Sequence, residues 1–83
     1  MMDRQSALDT VAEALVGARA RHGLSLEDAA AAAQIDLERL ASAESGEDAL
    51  TDPELEALAA TYDCDVAAFF GGRTTPISYL FGA

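Results

Sequence analysis

The stretch that decides the fold runs from residue 24 to residue 46 and reads LSLEDAAAAAQIDLERLASAESG. Ser25 stands three residues before an acidic residue, which is a shortened form of the capping box that opens helices. The alanines that follow extend this helix through Ala33, and their one-carbon side chains allow it to approach its neighbours closely. Asp36 is placed to cap a second short helix that ends near Gly46. The stretch therefore predicts two short helices joined by a tight turn.

A longer helix is predicted before this pair, over residues 6–21. Four apolar residues fall on one stripe at helical spacing, and these are Leu8, Val11, Leu15 and Ala18. Gly23 follows as a stop in the left-handed conformation. In the second helix of the pair, the buried face consists of Leu37 or Leu40 together with Ala43.

Two more helices are predicted after the pair. Thr51 or Asp52 caps the first, and Pro53 occupies its opening position, where a missing N–H costs nothing extra. The inward positions of this helix are Leu55, Leu58, Ala59 and Tyr62. Asp65 caps a last short helix that ends in two phenylalanines. Abundant alanine and the near absence of β-branched runs favour an all-α fold.

An ordered set of positions links these five helices from Val11 to Phe70. It consists of Val11, Leu15, Arg19, Gly23-Leu24-Ser25, Ala29-Ala30, Ile35, Leu40, Glu44, Gly46, Leu55, Leu58, Ala59, Val66 and Phe69-Phe70. In this order the set resembles the Xre/Cro-type (lambda-repressor-like) helix-turn-helix family. The resemblance implies a compact five-helix domain over residues 1–70. Residues 71–83 follow this domain and read, from their own composition, as a Gly/Pro hinge and an apolar C-terminal tail.

The resemblance also implies roles for individual residues. In family members that read DNA, the third helix lies in the major groove and the start of the second helix holds a phosphate. The matching position at the start of the second helix is Leu26. Those on the third helix are Asp36, Leu37, Glu38, Ala41 and Ser42. Arg19 matches the arginine that pairs with a glutamate at the end of the third helix, here Glu44, so a structural ion pair is expected.

The charge of the two-helix motif and its surroundings differs from that of a typical DNA-binding protein. Between Glu27 and Asp65 there are twelve acidic residues and one arginine, and the chain contains no lysine. Cationic side chains normally neutralise the phosphates and supply nearly all non-specific affinity for DNA. One acidic side chain in the groove could accept a hydrogen bond from the amino group of cytosine. Several of them, followed by Glu47 and Asp48 in the next loop, would repel the phosphates.

Three interpretations of this acidity remain open. It can be a solvated face that keeps a small alanine-rich protein in solution. It can dock a partner protein, for example a basic one, as in an antitoxin, an anti-repressor or an adaptor, or it can imitate nucleic acid. DNA binding as a dimeric repressor is the alternative, with the backbone contacted by Arg19, Arg21, His22 and Arg73. The preferred hypothesis is a regulator that works through protein contact.

The tail after Phe70 lies outside the resemblance. Gly71 to Pro76 is a hinge, and an apolar run follows that includes Ile77, Tyr79, Leu80 and Phe81. The run can fold back over its own helices, or it can insert into a second subunit or a partner protein. It is therefore a candidate segment for partner binding or homodimer formation.

Catalysis and cofactor binding find no support in the sequence. Its carboxylates lack an accompanying Cys/His set, a Gly-rich phosphate loop or a Ser/His pair, and the single cysteine excludes an internal disulfide. We therefore expect no enzyme activity, metal or cofactor. Without a secretory signal or a membrane-spanning stretch, the chain is expected to be soluble and cytoplasmic.

Overall fold

The computed structural model describes residues 3–70, which form an all-helical domain. The α-helices of this part are α1 (Arg4–Arg21), α2 (Leu26–Ala33), α3 (Leu37–Glu44) and α4 (Asp52–Thr61). A 3₁₀ helix, Val66–Phe70, follows them. The expectation of five α-helices is thus wrong in its last member. The Ala68 N–H bonds three residues back to the Asp65 carbonyl at 2.9 Å, which is the hydrogen-bond pattern of a 3₁₀ helix rather than of an α-helix.

Helix α1 starts two residues earlier than the sequence pattern predicted. The carboxylate of Asp3 accepts the Ser6 backbone N–H at 2.7 Å and caps the helix, so that the first turn begins at Arg4. At its other end His22 is the C-cap, and Gly23 adopts the left-handed conformation with φ of +65°. The predicted glycine stop is confirmed.

The caps of α2 and α3 differ. Ser25 Oγ accepts the Asp28 N–H at 3.0 Å, as predicted. Asp36 occupies the N-cap position of α3, but its side chain makes no capping hydrogen bond, which corrects the expectation. Its backbone, with φ of −57° and ψ of 133°, differs from that of Ser25, which caps α2 with φ of −75° and ψ of 166°.

A complete capping box opens α4. Thr51 Oγ1 accepts the Glu54 N–H at 3.4 Å, and the Glu54 carboxylate accepts the Thr51 N–H at 2.8 Å. Thr51, rather than Asp52, is therefore the cap, and Pro53 stands at the second helical position instead of the first. Its missing N–H is still one of the four without an intrahelical partner.

The core is built around α1. This helix packs against α3 and the 3₁₀ helix, while α2 packs against α3 and α4. All of the predicted core positions of α1 and α4 are buried, and Leu40 rather than Leu37 fills the core from α3. The largest fully buried side chains are Leu8, Val11, Leu15, Leu40, Leu50, Leu55, Leu58, Phe69 and Phe70. None of the helices in residues 3–70 combines the length and apolar character that crossing a bilayer requires.

Gly46 joins the end of α3 to the start of α1. Its φ is +78°, its carbonyl accepts from Gln5 Nε2 at 3.2 Å, and a Cβ built on it would lie 2.7 Å from Asp9 Oδ1. A side chain here would therefore meet both backbone strain and a carboxylate. Gly23 has a similar φ, but nothing lies within 4 Å of its Cβ position.

We predict that Gly46→Ala destabilises the domain more than Gly23→Ala. The left-handed conformation alone costs an alanine about 1–2 kcal/mol at either position, and the contact with Asp9 adds to that cost only at Gly46. Urea unfolding of both variants measures the difference. In the double variant Asp9→Ala/Gly46→Ala, stability should return to that of Gly23→Ala. Equal losses in the two single variants would contradict the steric argument.

Candidate interaction surface

The turn between α2 and α3 sets the angle of the two-helix motif. Gln34 caps α2 in the left-handed conformation, with φ of 57°. The Ile35 N–H then bonds to the Ala30 carbonyl at 2.9 Å, and its side chain is buried in the core. Because Ile35 is anchored in this way, α3 leaves the turn with a defined set of residues facing outward.

The outward side of α3 carries the residues that the family resemblance matched to DNA reading. Asp36, Leu37 and Glu38 are exposed, and Ala41 and Ser42 are half-buried. Leu37 is one of two large apolar side chains that the described residues leave exposed, at 40% of its surface. We call the following residues, together with the loop after the helix, the acidic face: Asp36, Leu37, Glu38, Ala41, Ser42, Glu47 and Asp48.

The loop of the acidic face folds over the end of α3. The Glu47 N–H bonds to the Ser42 carbonyl at 2.9 Å, and Ser45 Oγ donates to Glu47 Oε1 at 3.0 Å. Glu47 and Asp48 remain exposed, so they extend the negative charge of the third helix beyond its C-terminal end. At the start of α2, Leu26 is half-buried against the core, and no cation takes the position matched to phosphate binding.

Arg39, the single cation between Glu27 and Asp65, is engaged within the domain. Its Nε donates to Glu54 Oε2 at 3.2 Å, its Nη2 donates to Glu54 Oε1 at 2.5 Å, and Nη2 also reaches the Ala49 carbonyl at 3.4 Å. This pair was not predicted from the sequence. Its signal was the Thr-x-x-Glu capping box, which places Glu54 at the helix start where a neighbouring arginine can reach it.

The Arg39 pair also changes the acidity of Glu54. The hydrogen bond from Arg39, opposed by burial and helped by the Thr51 backbone, holds the pKa of Glu54 below its usual value. A lowered pKa means that the folded state favours the ionised carboxylate. The resulting stability is present near neutral pH and is lost as the pH falls through the lowered pKa.

Arg19 and Glu44 form a second ion pair, between α1 and α3. Arg19 Nε lies 3.1 and 3.0 Å from the two Glu44 oxygens, and Nη2 donates to Oε1 at 3.0 Å. Nη1 donates to the Leu24 carbonyl at 3.1 Å. The Arg19 side chain is 24% exposed and that of Glu44 only 7%. The hydrogen bond to Glu44 raises the pKa of Arg19. This cation is therefore paired within the domain.

Tyr62 lies behind this pair. The residue is 3% exposed, and its hydroxyl is buried without a hydrogen-bond partner among the described residues. Burial raises the pKa of Tyr62, and the nearby Glu44 carboxylate adds to the rise while Arg19 opposes it. The ring meets His22 with centroids 5.7 Å apart at 40°. A buried hydroxyl without a partner is a cost to folding rather than a contribution.

The cations named for the DNA-binding alternative differ in their surroundings. Arg19 is bound to Glu44, whereas Arg21 and His22 are exposed at the C-terminal end of α1. Arg73 and the tail residues Ile77, Tyr79, Leu80 and Phe81 lie outside the described residues. Within residues 3–70, no group of three or more His, Cys, Asp or Glu side chains could hold a metal ion.

The comparison with known families bears directly on this motif. A sequence model of the helix-turn-helix family matches residues 18–69, which include the end of α1, the whole two-helix motif and α4. The chain belongs to the Xre/lambda-repressor-like helix-turn-helix family. The family match therefore covers most of the described residues, including the acidic face.

A solved structure supports the fold assignment. The chain is similar to the crystal structure of the clp gene regulator ClgR from Corynebacterium glutamicum, with a TM-score of 0.74. The similarity covers 80% of this chain and 70% of that chain at 21% sequence identity. A comparison with curated protein sequences gives no match. At this identity the shared feature is the helix-turn-helix fold.

We predict that Arg19→Met destabilises the domain more than Glu44→Gln. The first variant leaves a carboxylate that is almost fully buried without its partner, while the second leaves a cation that water still reaches and that keeps its bond to Leu24. Breaking a fully buried pair costs about 3–5 kcal/mol, so Arg19→Met should lose about 2–3 kcal/mol because the arginine is partly exposed. Urea unfolding of both single variants and of the double variant provides the test. Unchanged midpoints in both single variants would remove the structural role of the pair.

We predict that Tyr62→Phe leaves stability unchanged or raises it by up to about 1 kcal/mol, because it removes an unpaired buried hydroxyl and keeps the ring. Tyr62→Ala is the contrast, with an expected loss of about 3–5 kcal/mol from the emptied core position. Thermal unfolding distinguishes the two. A clear loss of stability in Tyr62→Phe would mean that the hydroxyl is hydrogen-bonded in solution.

Proposed function

We propose that this helix-turn-helix protein is a regulator that acts by contact with another protein, in the manner of an antitoxin, an anti-repressor or an assembly adaptor. The observation that carries the proposal is the pairing of Arg39, the single cation of α3, with Glu54 of α4. With its guanidinium bound to Glu54, the third helix presents Asp36 and Glu38 around an exposed Leu37. The surface that family members use to read DNA is negative here, and DNA is negative as well.

The charges of the acidic face disfavour a contact with the major groove. Phosphate contacts normally include Lys or Arg, and the release of counterions from the phosphates supplies most of the affinity. The acidic face carries four carboxylates, from Asp36, Glu38, Glu47 and Asp48, and contains no cationic side chain. Approach to a phosphate backbone would therefore be repulsive at low salt, where electrostatic interactions extend furthest.

The same face suits a protein partner with basic residues. Leu37 and the half-buried Ala41 provide an apolar centre, and the surrounding carboxylates provide a charged rim. Interfaces between proteins commonly combine an apolar centre with a polar rim. Complementary charge raises the rate of association and selects the partner. We therefore infer a partner with an apolar residue flanked by Lys or Arg.

The alternative is a dimeric DNA-binding repressor. Membership of the family favours it, and so does the similarity to a protein described as a gene regulator. Arg21 and His22 are exposed at the end of α1, where their side chains could contact a phosphate backbone. For this function the contacts would have to come from outside the acidic face.

We predict that the purified protein retains no duplex DNA at low salt. A pool of genomic fragments, titrated with the protein in a gel-shift assay, provides the measurement. Retention that falls steeply as salt is added would contradict the proposal and favour the repressor alternative. In that case Arg21→Gln should flatten the salt dependence, because one phosphate contact would be lost.

Variants of the acidic face test the protein contact directly. Proteins retained from a nuclease-treated host extract by the immobilised wild-type chain should be lost with Leu37→Asp and with Glu38→Lys. Glu56→Lys is the matched control, because Glu56 is exposed and lies two positions after Glu54, on a different side of α4 from the one that meets Arg39. A retained protein that is insensitive to both variants of the acidic face would refute the proposed site.

A further inference from the structure

One side of α1 is open to solvent and carries its charges in a fixed order. Asp9, Glu13, Val16 and Arg21 are exposed, and Gly17 is half-buried. Intervals of three and four residues place them on one face of the helix, and we call these five residues the α1 flank. The two carboxylates belong to the N-terminal half of the flank, and the guanidinium belongs to its C-terminal half. Reversing the direction of the helix therefore reverses the order of charge.

Val16 gives the α1 flank an apolar centre. Its side chain is 40% exposed, and Leu37 of the acidic face is the other large apolar residue that the described part of the chain leaves exposed. An open groove of about 660 Å³ lies beside Val16, between α1 and the end of α3. A second copy of the same surface matches this shape, because the Val16 of each copy can enter the groove of the other. Two-fold contacts of this kind, in which one patch is used twice, are the commonest arrangement in homodimers.

The Arg21 guanidinium lies toward the middle of the α1 flank. Its Nη1 is 3.4 Å from the position that a Cβ on Gly17 would take, so the side chain turns back along the helix. Glu13 is one further turn toward the N-terminus, and both charged residues line a hollow of about 220 Å³ between α1 and the 3₁₀ helix. Neither of them forms a hydrogen bond or an ion pair with the described residues. Both charges are therefore available to a partner.

We propose that the α1 flank binds the same flank of a second copy of this chain, with the two α1 helices antiparallel around a two-fold axis near Val16. In this arrangement the Arg21 guanidinium of one copy faces the Glu13 carboxylate of the other, and symmetry makes the contact twice. The two Val16 side chains lie between these ion pairs. Because Gly17 lacks a side chain, Arg21 can lie close to the helix surface and the second helix can approach.

The charges select the antiparallel arrangement. Parallel helices would bring Glu13 against Glu13 and Arg21 against Arg21, and like charges in contact disfavour association. The net charge of −10 opposes self-association at long range, but salt screens exposed charges beyond about 8 Å at physiological ionic strength. Because the surface is one helix with one large apolar side chain, we expect a weak dimer in exchange with the monomer.

The α1 flank and the acidic face share no residue, so the two proposals can fail separately. A dimer through the α1 flank would present two copies of the acidic face to a partner. It would also engage Arg21, which the DNA-binding alternative assigns to a phosphate. A dimer formed through the apolar C-terminal tail would differ from it, because that dimer would not depend on the charges of α1.

Sedimentation equilibrium of the full chain at physiological salt, at protein concentrations up to the millimolar range, tests the proposal. We expect a reversible monomer–dimer equilibrium for the wild type. Glu13→Arg and Arg21→Glu should each weaken the dimer by about tenfold or more, because each places like charges together at two symmetry-related contacts. Val16→Glu should weaken it as well. Glu56→Arg makes the same change of net charge as Glu13→Arg at an exposed site of α4 and should leave the association unchanged.

A mixture of the two charge variants provides a direct test of the pairing. The Glu13→Arg chain carries cations at both contact positions, and the Arg21→Glu chain carries carboxylates at both. Only the mixed dimer therefore has complementary charges. An equimolar mixture should form a heterodimer at concentrations where each variant alone is monomeric.

The double variant Glu13→Arg/Arg21→Glu completes the set. It exchanges the two charges within one chain and restores the net charge, so its association should match that of the wild type. A wild-type chain that stays monomeric over the whole concentration range would overturn the proposal. So would a dimer that is indifferent to both charge reversals, or a mixture of the two single variants that remains monomeric.

Discussion

The Arg19 guanidinium is the constraint on which the arrangement of the motif depends. It binds both oxygens of Glu44 and the carbonyl of Leu24, and so links α1, the α1–α2 connection and the end of α3. The planar guanidinium presents several N–H donors in a fixed geometry, so it suits these acceptors better than the ammonium group of a lysine would. Apolar packing decides that the helices associate, whereas this set of directional bonds selects the rotation at which α1 and α3 meet.

The pairing of two arginines with glutamates also shapes the surface. Arg19 and Arg39 both bind glutamates of other helices, so each of these positive charges is matched by a carboxylate of the same domain. The exposed carboxylates of the acidic face have no such match among the cations of α3. Since function belongs to the surface that a fold carries, a family fold with this charge distribution need not share the ligand of other members.

Local signals in the sequence accounted for the helix boundaries with few errors. Side-chain caps at Ser25 and Thr51 depend on residues three positions apart, so the sequence contains all of the information needed to predict them. Two assignments could not be made from the local sequence. Asp36 has the right residue type for a cap but makes no capping hydrogen bond, and burial in the tertiary structure selected Leu40 rather than Leu37.

The sequence by itself determined the all-helical fold, the family and the excess of negative charge, because these follow from periodicity, residue order and composition. Only the tertiary structure decided which charges are paired within the domain. Arg39 and Glu54 are fifteen positions apart, and no local rule states that the single cation of the motif turns toward the cap of α4. The same holds for the exposure of Leu37, since exposure depends on which neighbours the other helices bring close.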